Sequence, residues 1–158
     1  MSKKGGTPNQ PANNLANNGV YVLMDEITMG SCADCLKWIM NHNLAETRLP
    51  QLTIIINSPG GDVHAAFALI DTMKASTIPI KTVGLGLIAS CGFLIFIAGK
   101  KGSRILTPNT SILSHQYSWG SHGKEHELYA RVKEFELSTN RMIEHYKKCI
   151  GMSEKQIR

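Results

Sequence analysis

Apolar residues recur along this chain with two periods, and the switches between them mark out its elements. Val20 to Met24 is a short apolar run that predicts a first strand. From about Ser31 to His42, the residues Cys32, Cys35, Leu36, Ile39 and Met40 follow the i, i+3, i+4, i+7, i+8 spacing of one helix face. Leu52 to Ile56 is rich in β-branched residues and too short for a helix, so it predicts a buried strand. It runs into Asn57-Ser58-Pro59-Gly60-Gly61, a strong turn signal. A helix is predicted from near Asp62, with Val63, Ala66, Phe67 and Ile70 on its inner face. Ile80 to Gly86 predicts the next strand, and Ser90 to Ala98 a buried helix. Gly99 to Gly102 reads as a turn, Arg104 to Leu106 and Ser111 to Ser114 as short strands, and Trp119 to Gly123 as a Gly/Ser loop. From Lys124 to about Cys149, Leu128, Val132, Phe135, Thr139, Met142, Tyr146 and Cys149 stand three or four apart. That spacing predicts a long amphipathic helix, with Gly151 as its stop. Alternating strands and helices, two strands and a long helix argue for an α/β fold on a largely parallel sheet. No fixed-period sequence repeat is present.

Composition narrows the class. A chain of 158 residues with 42% hydrophobic and 18% charged residues suits one folded domain. Residues 1–19 are polar and rich in Asn and Gly, which predicts a flexible tail ahead of a domain over 20–158. The net charge is +5, but Lys3-Lys4 and Lys100-Lys101 with Arg104 lack interleaved aromatics. They read as solvated surface rather than a nucleic-acid groove. No apolar run reaches membrane-spanning length and Met1 to Gly19 holds no hydrophobic secretory segment, so the expected setting is the cytosol with reduced thiols. Cys32 and Cys35 form a lone C-x-x-C on the apolar face of a predicted helix, where packing is the reading and not a metal or redox site.

Three local features carry chemistry together. Pro59-Gly60-Gly61 joins a buried strand to a helix, where glycines allow unusual backbone angles and helix-start amides favour negative charge. Alone it reads first as a plain strand-to-helix turn. In Gly86-Leu87-Ile88-Ala89-Ser90-Cys91-Gly92 a hydroxyl opens a helix after a glycine-flanked strand. This meets the need of a nucleophile elbow without the G-x-S-x-G spacing, although Ser90 taken alone reads first as a helix cap. Cys91 beside it is a second candidate nucleophile, but one step into the helix turns its thiol away and leaves its amide as the useful group. The third feature is His115, in Ser114-His115-Gln116, which follows the apolar Ile112-Leu113. A histidine there can take the serine proton and return it to a leaving amine. His64, His122, His126 and His145 are expected to be solvated, and His42 to sit near a helix end.

At these residues the sequence resembles the Clp protease proteolytic subunit (ClpP) family. Ile56-Asn57-Ser58-Pro59-Gly60-Gly61 is similar to that family's glycine-rich block. Gly86 to Gly92 with Phe93-Leu94 resembles its serine block, and Lys101-Gly102-Ser103-Arg104 through Pro108-Asn109 to His115-Gln116 its histidine block. Order and spacing agree from about residue 20 to the end. The resemblance implies the ClpP/crotonase-like fold, a repeated β-β-α superhelix with a long handle helix. It implies a serine endopeptidase with Ser90 as nucleophile, His115 as general base, and the Gly61 and Cys91 amides as oxyanion hole, needing no cofactor or metal. It further implies a homo-oligomeric ring of seven subunits, usually stacked as two rings, acting on unfolded polypeptides supplied by an AAA+ unfoldase that hydrolyses ATP. No nucleic acid or membrane partner is expected.

Three departures stand out. The family's third triad member is an Asp beyond the handle helix, whereas the last aspartate here is Asp71. The C-terminal part is therefore expected to be truncated, and loss of the orienting aspartate costs on the order of 10⁴-fold in kcat in such triads. Tyr117 stands where the family usually has Pro, and the N-terminal tail is longer and more polar. Two other readings follow: a catalytically weak or inactive ring or scaffold subunit, and an acyl-CoA enzyme of the hydratase superfamily, which also uses paired amides.

Overall fold

The computed structural model describes residues 15–115, 120 and 122–157. Its strands are β1 (Val20–Leu23), β2 (Leu52–Ser58), β3 (Ile80–Ala89), β4 (Arg104–Leu106) and β5 (Ser111–Leu113). Its helices are α1 (Met29–Leu44), α2 (Val63–Ala75), α3 (Cys91–Ala98), α4 (Glu125–Ile150) and α5 (Glu154–Ile157). Strand β2 buries Leu52, Ile54, Ile56 and Ser58 while the residues between them are partly exposed, the period-two pattern of a sheet with unequal faces. Every strand pairing is parallel, in the order β1-β2-β3-β4, with β5 also on β3. The ten-residue β3 is shared: Thr82–Gly84 pair with β4, and Leu87–Ala89 pair with β5. This division brings the end of β5 beside Ala89 and so beside Ser90.

Local chemistry sets the helix ends. Thr28 caps α1, accepting from the Ser31 amide at 3.1 Å while Ser31 Oγ accepts from the Thr28 amide at 3.0 Å. The helix therefore starts before Ser31, where the sequence placed it, because the box consumes Ser31 inside the first turn. Asp62 caps α2 by accepting from His64 and Ala65 amides at 2.8 and 3.0 Å. Gly151 ends α4 in the left-handed conformation, φ 74°. Cys32 and Cys35 are buried, as the packing reading requires, but Met40 is half exposed. Trp38 takes the inner face in its place. Its ring packs on Tyr21, and its Nε1 donates to the Ala16 carbonyl at 3.0 Å.

That bond also corrects the expected tail. Residues 15–19 form a turn held by Trp38, by the His42 ring nitrogen 2.9 Å from Ala16 O, and by the Thr53 amide donating to Gly19 O at 2.8 Å. The chain is thus anchored before residue 20, because Trp38 and His42 offer polar tips beside an otherwise apolar surface. Residues 1–14, 116–119, 121 and 158, which include Trp119 and Ser121 of the predicted Trp119–Gly123 loop, lie outside the described residues.

The core lies between β1–β3 and the helices α1, α2 and α3, where Ile54, Ile56, Leu69, Ile70, Ile88 and Ile95 are fully enclosed. The second half of α4 closes this core with Ile143, His145 and Tyr146, while its first half stands clear with Tyr129 and Val132 exposed. No helix among the described residues is long and apolar enough to cross a membrane.

Candidate active site

Ser90 links β3 to α3 with φ 48° and ψ −120°, and among the described residues it is the one non-glycine with positive φ. Such a conformation costs on the order of 1–3 kcal/mol and persists only where neighbours impose it. Its amide donates to Leu113 O at 2.8 Å, and its carbonyl accepts from the Phe93 and Leu94 amides at 3.0 and 3.2 Å. The backbone thus begins the helix, yet the Ser90 side chain makes no capping hydrogen bond. The hydroxyl is not used as a helix cap, which removes the plain reading of this serine.

The glycine turn packs directly behind it. A Cβ on Gly60, at φ 101°, would lie 2.6 Å from Ser90 Cβ and 3.2 Å from the Cys91 nitrogen. A Cβ on Gly61, at φ 144°, would overlap the Ile27 carbonyl oxygen. Ile27 fixes the turn from the other side: its amide donates to Gly60 O at 2.8 Å and its carbonyl accepts from Asp62 at 2.7 Å. Ser58 Oγ accepts from the Gly60 amide at 3.1 Å, so the amide of Gly61 stands between two bonded amides. Side chains are excluded here because backbone must lie against backbone.

His115 follows β5, whose end is set by the Ala89–Leu113 pairing. Ser114 Oγ lies 2.8 Å from Tyr146 Oη on α4. A cavity of about 350 Å³ is lined by Gly61, Ser90, Cys91 and His115 together. Val63, Leu94, Phe135, Met142, Ile143 and Tyr146 make the rest of its lining largely apolar. The four residues singled out by the sequence, from three separate connections, therefore share a single cavity. Ile157 lines it as well, whereas Glu154, the carboxylate nearest the chain end, does not.

Cys91 is 4% exposed and its thiol donates to Gly61 O at 3.2 Å. Burial pushes this thiol above the ordinary cysteine range, so it is held as the unreactive thiol. That disfavours the cysteine as nucleophile.

His145 departs from expectation. It is 3% exposed, with Nε2 2.9 Å from Leu94 O and Nδ1 3.3 Å from Lys74 Nζ. Burial and the nearby Lys74 and Arg104 charges lower its pKa. Helical periodicity could not separate it from its solvated neighbours, since only the packing of α4 on α3 decides which flank turns inward. Ser114 and Tyr146 were also not assigned to the site: they meet across 32 residues, with no local pattern to announce it.

A parallel sheet, a long helix and a strained serine in one cavity with a histidine define an α/β protein with a candidate active site at the end of β3. The Clp protease family profile matches residues 3–158. Over 133 residues the chain is 35% identical to ATP-dependent Clp protease proteolytic subunit 1 of Corynebacterium jeikeium, covering 84% of this chain and 68% of that one. It is 36% identical to proteolytic subunit 2 of Corynebacterium diphtheriae, covering 84% and 64%. A solved structure of a ClpP1 mutant from Listeria monocytogenes matches with a TM-score of 0.79 at 27% identity, covering 92% of this chain and 80% of that one. The chain belongs to the Clp protease family and is of its proteolytic-subunit type. It spans about two thirds of the length of these two curated relatives.

Proposed function

We propose that the chain hydrolyses peptide bonds with Ser90 as nucleophile and His115 as general base. The observation that carries this is the strained Ser90 backbone, its side chain not used for capping, in the cavity shared with His115, Gly61 and Cys91. Ser90 Oγ attacks the scissile carbonyl carbon while His115 takes its proton. The amides of Gly61 and Cys91 hold the oxyanion, and their rigidity is the source of their effect, since no reorganisation is needed as charge develops. The protonated His115 then gives its proton to the leaving amine. Water, deprotonated by the same imidazole, releases the acyl group from Ser90. The apolar wall of Val63, Leu94 and Met142 supports acceptance of hydrophobic side chains.

The proposed working form is a homo-oligomeric ring in the cytosol, seven subunits to a ring. An AAA+ unfoldase delivers unfolded polypeptide to it and hydrolyses the ATP. Its relatives' description as ATP-dependent proteolytic subunits supports this setting.

A fluorophosphonate probe followed by peptide mapping tests the chemistry. Labelling is expected on Ser90, absent in Ser90→Ala and slowed at least 100-fold in His115→Ala. Labelling that survives Ser90→Ala sinks the assignment. A folded, assembled chain that takes no label is instead a scaffold subunit.

A further inference from the structure

We propose that Tyr146 is a positioning residue for His115, acting through the hydroxyl of Ser114; this rests on the reading of Ser90 and His115 as the reacting pair. The need for such a device is visible in the histidine's own segment. Strand β5 has three residues, and all of 111–115 is exposed. Core burial therefore does not fix the direction in which the chain leaves the strand. Backbone bonds hold it as far as Leu113, through the Ala89 pairing and the bond from the Ser90 amide at 2.8 Å. Beyond Leu113, each residue adds two soft dihedral angles before the imidazole is reached.

The next residue is where α4 takes hold. Ser114 Oγ lies 2.8 Å from Tyr146 Oη. Tyr146 is itself rigidly seated, 8% exposed, with its ring 5.9 Å from that of Phe93. Phe93 belongs to α3, the helix that Ser90 opens. His145, one residue away, bonds Leu94 O on the same helix. A closed circuit results: Ser90 begins α3, α3 seats Tyr146, Tyr146 holds Ser114, and Ser114 precedes His115. One phenol thereby references the base to the helix of the nucleophile. All four of Ser90, Ser114, His115 and Tyr146 line the same cavity. Misplacing a reacting group by about 1 Å can cost on the order of 100-fold in rate. Losing one neutral hydrogen bond that only narrows its range should cost less, about tenfold.

The test uses the full chain in its assembled form, with steady-state cleavage of a fluorogenic peptide and the rate of fluorophosphonate labelling as readouts. Tyr146→Phe keeps the ring against Phe93 and deletes only the hydroxyl. It is expected to lower kcat and the labelling rate about tenfold, with KM within about twofold of the parent. Ser114→Ala should do the same, and the double variant should fall no further than either single one, because the two hydroxyls form one bond. Ser114→Thr, which restores a hydroxyl, should recover most of the rate. Thermal melting and sedimentation of each variant report whether fold and assembly persist. Parent-like kcat in Tyr146→Phe, a change confined to KM, or losses that multiply in the double variant would each overturn the positioning role while leaving the Ser90–His115 pair standing. Labelling that persists in Ser90→Ala removes the pair itself, and the positioning role with it.

Discussion

Ser90 holds its backbone in a costly region, and Gly60 makes room for it, since a Cβ there would lie 2.6 Å from Ser90 Cβ; other glycines answer different constraints. Gly61 combines positive φ with a carbonyl where a Cβ would stand. Gly102 has a similar sign of φ, 85°, but open space around its missing side chain. The two separate strain from collision. Gly102→Ala is expected to cost about 1–2 kcal/mol of stability and leave kcat unchanged. Gly61→Ala must push Ile27 away, breaking the bridge that orients the proposed oxyanion amide, and should lower kcat at least 100-fold. Urea denaturation and peptide cleavage on both variants check this; equal activities would remove Gly61 from the site. At this scale the blocks that hold Gly61, Ser90, Cys91 and His115 stood out in the sequence, and their roles were implied by the resemblance to the Clp protease family. The Ser114–Tyr146 bond was not legible there, since nothing near either residue encodes the other.

Among the elements, α4 was legible in extent and illegible in orientation. Its apolar spacing and Gly151 predicted the helix closely. The spacing did not reveal that the inner flank carries a histidine, or that Val132 faces outward. His145 fastens α4 to α3 through Leu94 O. Around its ring stand Lys74 and Asp71 of α2, Arg104 of β4, and Cys149 of α4 itself. Because burial lowers its pKa below the ordinary value of about 6.5, the unfolded chain binds this proton more readily than the folded one. The contribution is complete above pH 6.5 and is lost as the pH falls from there toward the lower folded value. Protonation would also set an N–H against the Lys74 ammonium. Melting temperature is thus expected to drop between pH 7.5 and 5.5, and His145→Gln should flatten that part of the profile. An unchanged slope in the variant would rule out His145 as the titrating group.

For the molecule as a whole, exposed apolar residues occur on β1 and α1 and also form a set on β4, β5 and α4. Ile105, Leu106, Ile112 and Leu113 lie on β4 and β5, and Tyr129, Val132 and Leu137 on α4. In the proposed ring these are the surfaces available for neighbouring subunits. Leu137 is 51% exposed within the single chain, so Leu137→Glu should change subunit stability by no more than about 0.5 kcal/mol. A charge buried at a contact is far costlier, so sedimentation velocity should show the variant shifted from ring to smaller species. A parent-like sedimentation profile would exclude this helix face from the assembly.

The sequence by itself determined the α/β class, the parallel sheet and the order of elements, and its resemblance to the Clp protease family pointed to the four candidate site residues. The elements depend on information repeated within a few residues: hydrophobic period, turn glycines, and small residues at a helix start. Tertiary structure alone decided that Ser90 does not cap its helix, that Cys91 keeps its proton, that His145 is buried, and that Tyr146 reaches Ser114. Each of those is a meeting of side chains from distant segments. Burial, hydrogen bonding and proton affinity follow from which faces close upon one another, a relation that periodicity along a single chain does not contain.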